Sequence, residues 1–293
     1  MMRWTGRLGA GAGIALVFGG RVLGVPVYLN HVVIVVDSGT YRAIAGSAFL
    51  RDTLASFQER TTAAGGGMTW SGTYLFGKNT YLELFGPGGV AGPAGSAMIG
   101  WGVEEPGSLI RVRAQLASAT GRAVDSLVRT RARGTEEIPW FHAVAVSGAM
   151  TGSRFPTWVM EYHADFAKRW DPAVPAERNG ILRWQALAEV YRPERAMLEV
   201  RAARVAVDSA DQARIEMEAR AFGHQVARRP GSAGLVITAP DFRLETEVAT
   251  ERSRGVRAIE MAIEPGRMAS GTRTISPGLT VTVSGRTAVW AFP

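Results

Sequence analysis

The 293-residue chain predicts an α+β fold in which one strand–helix–strand–strand–strand (βαβββ) unit occurs twice. Three observations carry this. A β-branched apolar run at residues 27–36 leads into Asp37-Ser38-Gly39-Thr40 and then into apolar residues at helical spacing. The same order of signals recurs from residue 200. Two short sequences are echoed: Val-Val-Asp-Ser at 35–38 by Ala-Val-Asp-Ser at 206–209, and Glu-Pro-Gly at 105–107 by the same triplet at 264–266. A fixed-order repeat is the mark of copies of one supersecondary unit packed side by side.

The elements follow in order. Residues 27–36 read as a buried strand, and Asp37 and Ser38 offer N-cap oxygens to a helix over 41–60, where Ile44, Phe49, Leu50, Leu54 and Phe57 recur at helical intervals. Residues 69–76 and 80–85 form a hairpin around Gly77-Lys78-Asn79, and 97–103 is a further strand. In the second copy, strand 200–207 precedes a helix over 210–222, then short strands at 224–228, 234–238, 242–248 and 256–263. Between the copies, 109–133 predicts a strand and a helix, 138–147 and 155–163 two strands, and 179–191 a helix ended by Pro193. The tail alternates around Pro277-Gly278 and Ser284-Gly285 as a hairpin sheet. The expected organisation is a leader at 1–24, a first unit at 25–107, an insertion at 108–195, a second unit at 196–266 and a C-terminal hairpin at 267–293.

Arg3 and Arg7 followed by an apolar run at 8–20 and Val22-Leu23-Gly24 match a secretory signal peptide, too short for a bilayer span. An exported protein, periplasmic or secreted, with no stable membrane insertion after cleavage is expected. The absence of cysteine means that such a protein relies on its core alone. The net charge of +7 comes almost entirely from arginine, Lys78 and Lys168 being the two lysines. Arg111, Arg113, Arg122, Arg129, Arg131 and Arg133 form the one dense stretch, without the interleaved aromatics of a nucleic-acid surface. The expected partner is a small-molecule ligand, not nucleic acid. There is no thiol nucleophile, Gly-x-Ser-x-Gly elbow, phosphate loop or His-Glu-x-x-His helix.

The run Asn30-His31-Val32-Val33-Ile34-Val35 resembles the opening strand of glyoxalase-like (vicinal oxygen chelate) proteins, and Tyr81-Leu82-Glu83-Leu84-Phe85 resembles their later, ligand-bearing strand. The stretches from Trp70 to Glu83 and from Trp158 to His163 are similar to those of a bacterial glyoxalase-like family of unknown function, over roughly residues 27–195. The resemblance implies paired modules forming a cupped sheet around a divalent metal, with His31 and Glu83 at the matching ligand positions. Aligning Asp37 with Asp208 places Ala202 opposite His31, so the second unit lacks the matching histidine.

Alternation along a strand puts Glu161 and His163 on one face, and His142 reaches them if the two inserted strands pair. His31, Glu83 and His142 are thus candidate metal ligands, with Glu161 and His163 as an acid/base pair. Such a nitrogen–oxygen shell suits Zn, Mn, Fe or Ni. The resulting expectation is a metal-dependent isomerase, lyase or oxygenase acting on a small oxygen-rich molecule. The alternative is a non-catalytic small-molecule-binding protein that kept the fold and lost the metal.

Overall fold

The computed structural model describes residues 24–64, 67–88, 92–170, 181–250 and 253–292; the signal-like segment 1–23 lies outside them. The first unit is β1 (Tyr28–Val35), α1 (Ser38–Ala45), β2 (Ser56–Ala64), β3 (Met68–Phe76) and β4 (Tyr81–Phe85). Asp37 caps α1, its carboxylate accepting from the backbone N–H of Gly39 and Thr40 at 2.8 and 2.9 Å. The helix predicted over 41–60 stops at Ala45. A single π-turn (Leu50–Leu54) follows, and 56–64 is a strand. Residues 58–64 alternate, with Arg60, Thr62 and Ala64 on the less exposed face. That two-residue period overrides the helical spacing of the preceding apolar residues.

The extra strand shifts the frame. β5 (Ala97–Gly102) opens a second unit with α2 (Ser108–Thr120), β6 (Val124–Arg133), β7 (Glu136–Val146) and β8 (Thr157–Tyr162). Residues 97–162, most of them expected to be an insertion, thus carry a full copy of the unit. In each copy the first strand runs parallel to the last, β1 beside β4 and β5 beside β8, which requires a crossover connection, here helical. The eight strands close into a barrel, β1-β4-β3-β2-β6-β7-β8-β5. The β1–β5 seam is a six-pair antiparallel ladder with one register slip, whereas β2 meets β6 at one bridge, Ala64 with Arg131.

After α3 (Ala164–Trp170) and α4 (Arg183–Leu187), a third copy follows: β9 (Met197–Val207), α5 (Ser209–Ala221), β10 (Gln225–Arg228), β11 (Leu235–Thr238) and β12 (Arg243–Val248). Asp208 caps α5 through the backbone N–H of Asp211. A helix-less set, β13 (Gly255–Ile263), β14 (Gly271–Ser276), β15 (Leu279–Ser284) and β16 (Thr287–Ala291), completes an open sheet ordered β10-β11-β12-β9-β13-β16-β15-β14. The fold is therefore α+β, built of paired βαβββ modules of glyoxalase-like type, with a second sheet beside the barrel.

One apolar core joins the two bodies. Val32 and Ile34 of β1 and Val112 and Leu116 of α2 share it with Val205, Ile259 and Trp290 of the second sheet. Two buried arginines cross the boundary. Arg183 binds Glu104 at 3.0 Å, Asp241 at 2.6 Å and the Leu29 carbonyl. Arg214 on α5 holds Asp211, Glu218, the Thr157 hydroxyl and the Phe155 carbonyl of the barrel. Glu199 of β9 accepts from Asn79 and Thr80 at the β3–β4 turn. A Cβ on Gly77 of that turn would lie 2.4 Å from the Leu198 carbonyl oxygen, so only glycine permits this approach.

Candidate ligand-binding cavity

Strand alternation sorts β1 into two faces. Val32 and Ile34 enter the core outside the barrel, while His31, Val33 and Val35 point inward. Asn30 breaks the alternation. The β1–β5 register slips between Leu29 and His31, so Asn30 is the extra residue of a bulge. Both Asn30 and His31 are buried, and their side chains meet, His31 Nδ1 lying 2.8 Å from Asn30 Oδ1. Two glycines of β5 clear the space: a Cβ on Gly100 would stand 2.4 Å from the His31 ring, and one on Gly102 3.4 Å from Asn30 Cβ.

The His31 ring stacks on Tyr81 (centroids 4.7 Å apart, 17° between planes) and meets Trp158 edge-on at 5.2 Å. Glu83 follows Tyr81 on the same face of β4, in register with Val33. Around them the barrel encloses a cavity of about 450 Å³, walled by Trp70, Phe85, Trp140 and Trp158 with methionines at 68, 98 and 160. Leu127 and Met150, also lining it, are 42% and 52% exposed and mark its mouth.

Burial moves the inner titrating groups in opposite directions. It lowers His31 to about 3, so the ring is neutral at ordinary pH. It raises Glu83 to about 7, against the opposing pull of the Arg60 charge and the Tyr81 hydroxyl. The Tyr81 phenol is pushed well up by burial and then by the Glu83 charge. Arg60 lies over the Tyr74 ring at 4.3 Å, its Nε buried and without a hydrogen-bond partner among the described residues.

The structure brings two of the five candidate residues into the cavity, His31 and Glu83. Strands β7 and β8 do pair, with His142 opposite Glu161, but on the outside of the barrel. His142 shares its face with Val144 and Val146, which enter the core outside the barrel. Its ring lies 5.1 Å from His163. Glu161 caps α2, accepting from the backbone N–H of Gly107 and Leu109 at 2.7 and 3.0 Å. His163 Nδ1 accepts from the Asp165 backbone N–H at the start of α3. Both polar side chains thus serve helix ends, where free N–H groups need partners. The expected convergence of His142, Glu161 and His163 with His31 and Glu83 does not occur.

A catalytic metal site ordinarily takes three protein ligands. The second copy's inward positions hold Met98, Gly100 and Gly102 on β5 and Trp158, Met160 and Tyr162 on β8. Among the described residues no three of His, Cys, Asp or Glu stand close enough to hold a metal ion. The residues present do not fit the metal centre that the resemblance implies.

The Trp70–Glu83 run serves packing as well as the cavity. Gly72 makes room for the Phe85 ring, which a Cβ would meet at 2.5 Å. Trp70 Nε1 donates to the Tyr74 hydroxyl at 2.9 Å. Asn30, Tyr81 and Gly100 were not among the expected site residues. The signals available for them were the polar residue beside His31 and the alternate glycines of β5.

A closed barrel of paired βαβββ units with an aromatic interior describes the fold of this protein. Over residues 29–292 the chain matches the model of the family of unknown function DUF5829, and it belongs to that family. No curated protein matches it. Among solved structures it is similar to a hypothetical protein from Staphylococcus aureus, at 8% identity over 78% of this chain and 88% of that one, with a TM-score of 0.49. It is also similar to 2,2',3-trihydroxybiphenyl 1,2-dioxygenase from Sphingomonas wittichii strain RW1, at 10% identity over 82% and 74% of the chains, with a TM-score of 0.42. A third likeness is to a xylose isomerase-like TIM barrel/4-hydroxyphenylpyruvate dioxygenase fusion protein, at 11% identity and a TM-score of 0.41, covering 78% of this chain and 35% of that one. At these values the likenesses carry nothing about activity.

Proposed function

We propose that this protein is an exported binding protein that holds a small, flat, largely apolar molecule inside the barrel without a resident metal. One observation carries the proposal: a cavity of about 450 Å³ walled largely by aromatic, methionine and small aliphatic side chains, with His31, Tyr81 and Glu83 grouped on its wall and Asp125 and Arg129 lining it from β6. Ligand sites of this size are mostly apolar, with a few placed polar groups to fix orientation. Export rests on the N-terminal Arg3/Arg7 and apolar run; no helix among the described residues is long and apolar enough to cross a membrane.

The test is elemental analysis of protein purified without chelator, beside a His31→Ala/Glu83→Ala variant, followed by calorimetric titration with 2-naphthol in chelator. The proposal predicts no stoichiometric metal in either protein and saturable binding to the parent. Near-stoichiometric metal that disappears in the variant would replace it with the metal-dependent enzyme.

The Glu83 carboxyl, raised by burial to about 7 and lining the same cavity as the neutral His31 ring, favours a second reading: a metal-free enzyme that moves a proton on the bound molecule. Deuterium uptake alpha to the carbonyl of 2-tetralone, followed by proton NMR, would reveal it. Persistence of that uptake at parental rate in Glu83→Gln would exclude Glu83 as the base.

A further inference from the structure

The Asn30 bulge sets the chemistry of the inner end of the cavity, and this inference rests on the ligand-binding role proposed above. The Asn30 amide donates through Nδ2 to the Tyr162 hydroxyl at 3.4 Å, which leaves Oδ1 facing His31 Nδ1 at 2.8 Å. An amide oxygen only accepts, so Nδ1 must carry the imidazole proton. A neutral ring with its proton on Nδ1 has an unprotonated Nε2, and among the described residues Nε2 has no hydrogen-bond partner. Tyr81 stacked on one side and Trp158 edge-on pack against the ring in this orientation.

We infer that Asn30 is a positioning residue that locks His31 in the Nδ1–H tautomer, so that Nε2 accepts a hydrogen bond from an O–H or N–H on the inner edge of a flat ligand. The site therefore selects neutral donors and discriminates against the same ring bearing only an acceptor. Gly100 and Gly102 take part by leaving room for the two side chains. A ligand that lacks the donor would bury Nε2 unpaired against the aromatic walls, which favours discrimination of about tenfold in Kd.

Two measurements test this. Nitrogen-15 NMR of the side chains, with the His31 signals assigned through a His31→Gln variant among the four histidines, reads the tautomer directly. The Nδ1–H form is expected in the parent and in Asn30→Asp, which keeps the acceptor, and a mixture of tautomers in Asn30→Leu. Calorimetry then compares 2-naphthol with 2-methoxynaphthalene. The naphthol is expected to bind about tenfold more tightly to the parent, with the preference reduced in Asn30→Leu and retained in Asn30→Asp. An Nε2–H tautomer in the parent overturns the inference. Equal binding of the two probes overturns donor selection while leaving the binding role standing, and absence of binding by both overturns the binding role and the inference with it.

Discussion

Glu83 and His31 titrate with opposite signs, and the difference is measurable. The folded-state value of about 7 for Glu83 lies above the ordinary 4.5, so the folded chain keeps a proton that the unfolded chain has released. The stability from that proton is full below about pH 4.5 and lost as pH rises through 7, by at most about 3 kcal/mol. His31 is depressed from 6.5 to about 3, so its contribution is full above about pH 6.5 and lost as pH falls toward 3. Glu83→Gln should therefore gain on the parent by about 2–3 kcal/mol between pH 4 and pH 8 in denaturant unfolding. A pH-independent difference would mean that Glu83 is well solvated. Glu161 gives the contrasting case. The N-cap of α2 is Gly107, with no capping side chain of its own, so Glu161→Ala should cost about 1–2 kcal/mol and leave 2-naphthol binding unchanged. A loss of binding with full stability would return Glu161 to the site.

At the scale of elements, the legible features were those with local causes. The Asp37 and Asp208 caps, the Gly77-Lys78-Asn79 turn and the β-branched run of β1 follow from short-range chemistry, whereas His31 and Glu83 were singled out by the resemblance of their strands to glyoxalase-like proteins. The start of β2 was obscured because Phe49, Leu50, Leu54 and Phe57 share a helical spacing by coincidence across a π-turn and a strand. The inward partners of the second copy were misplaced for the same reason, since one missed strand moved β5 into the wrong unit. The bulge at Asn30 has no local signature and appears only in the pairing with β5. Gly100 is where that pairing is most sensitive. Because Tyr81 and Trp158 hem in the His31 ring, Gly100→Ala should cost about 1–3 kcal/mol and weaken 2-naphthol binding. Unchanged unfolding and unchanged affinity together would show that the ring moves freely.

At the scale of the whole molecule, barrel and second sheet share one packed core. Arg183 spans the boundary between Glu104 and Asp241, and Arg214, paired with Asp211 and Glu218 on its own helix, crosses it to the Thr157 hydroxyl and the Phe155 carbonyl. Removing one partner of a buried ionic cluster strands the others, so Arg214→Met should cost about 3–5 kcal/mol, with barrel tryptophan fluorescence and far-ultraviolet dichroism lost in a single transition. Separate transitions in the parent would mean that the two bodies fold independently. The single bridge between β2 and β6 sets a limit on the barrel's closure, and the exposed Leu127 and Met150 place the cavity mouth beside β6. What lies inside the barrel is the central claim. Its most direct test is calorimetric titration of 2-naphthol into chelator-treated parent protein and into Ala143→Trp, which fills the cavity from β7. The account predicts one site per chain in the parent and none in the variant; equal binding by both, or binding that appears only when a divalent metal is restored, would contradict it.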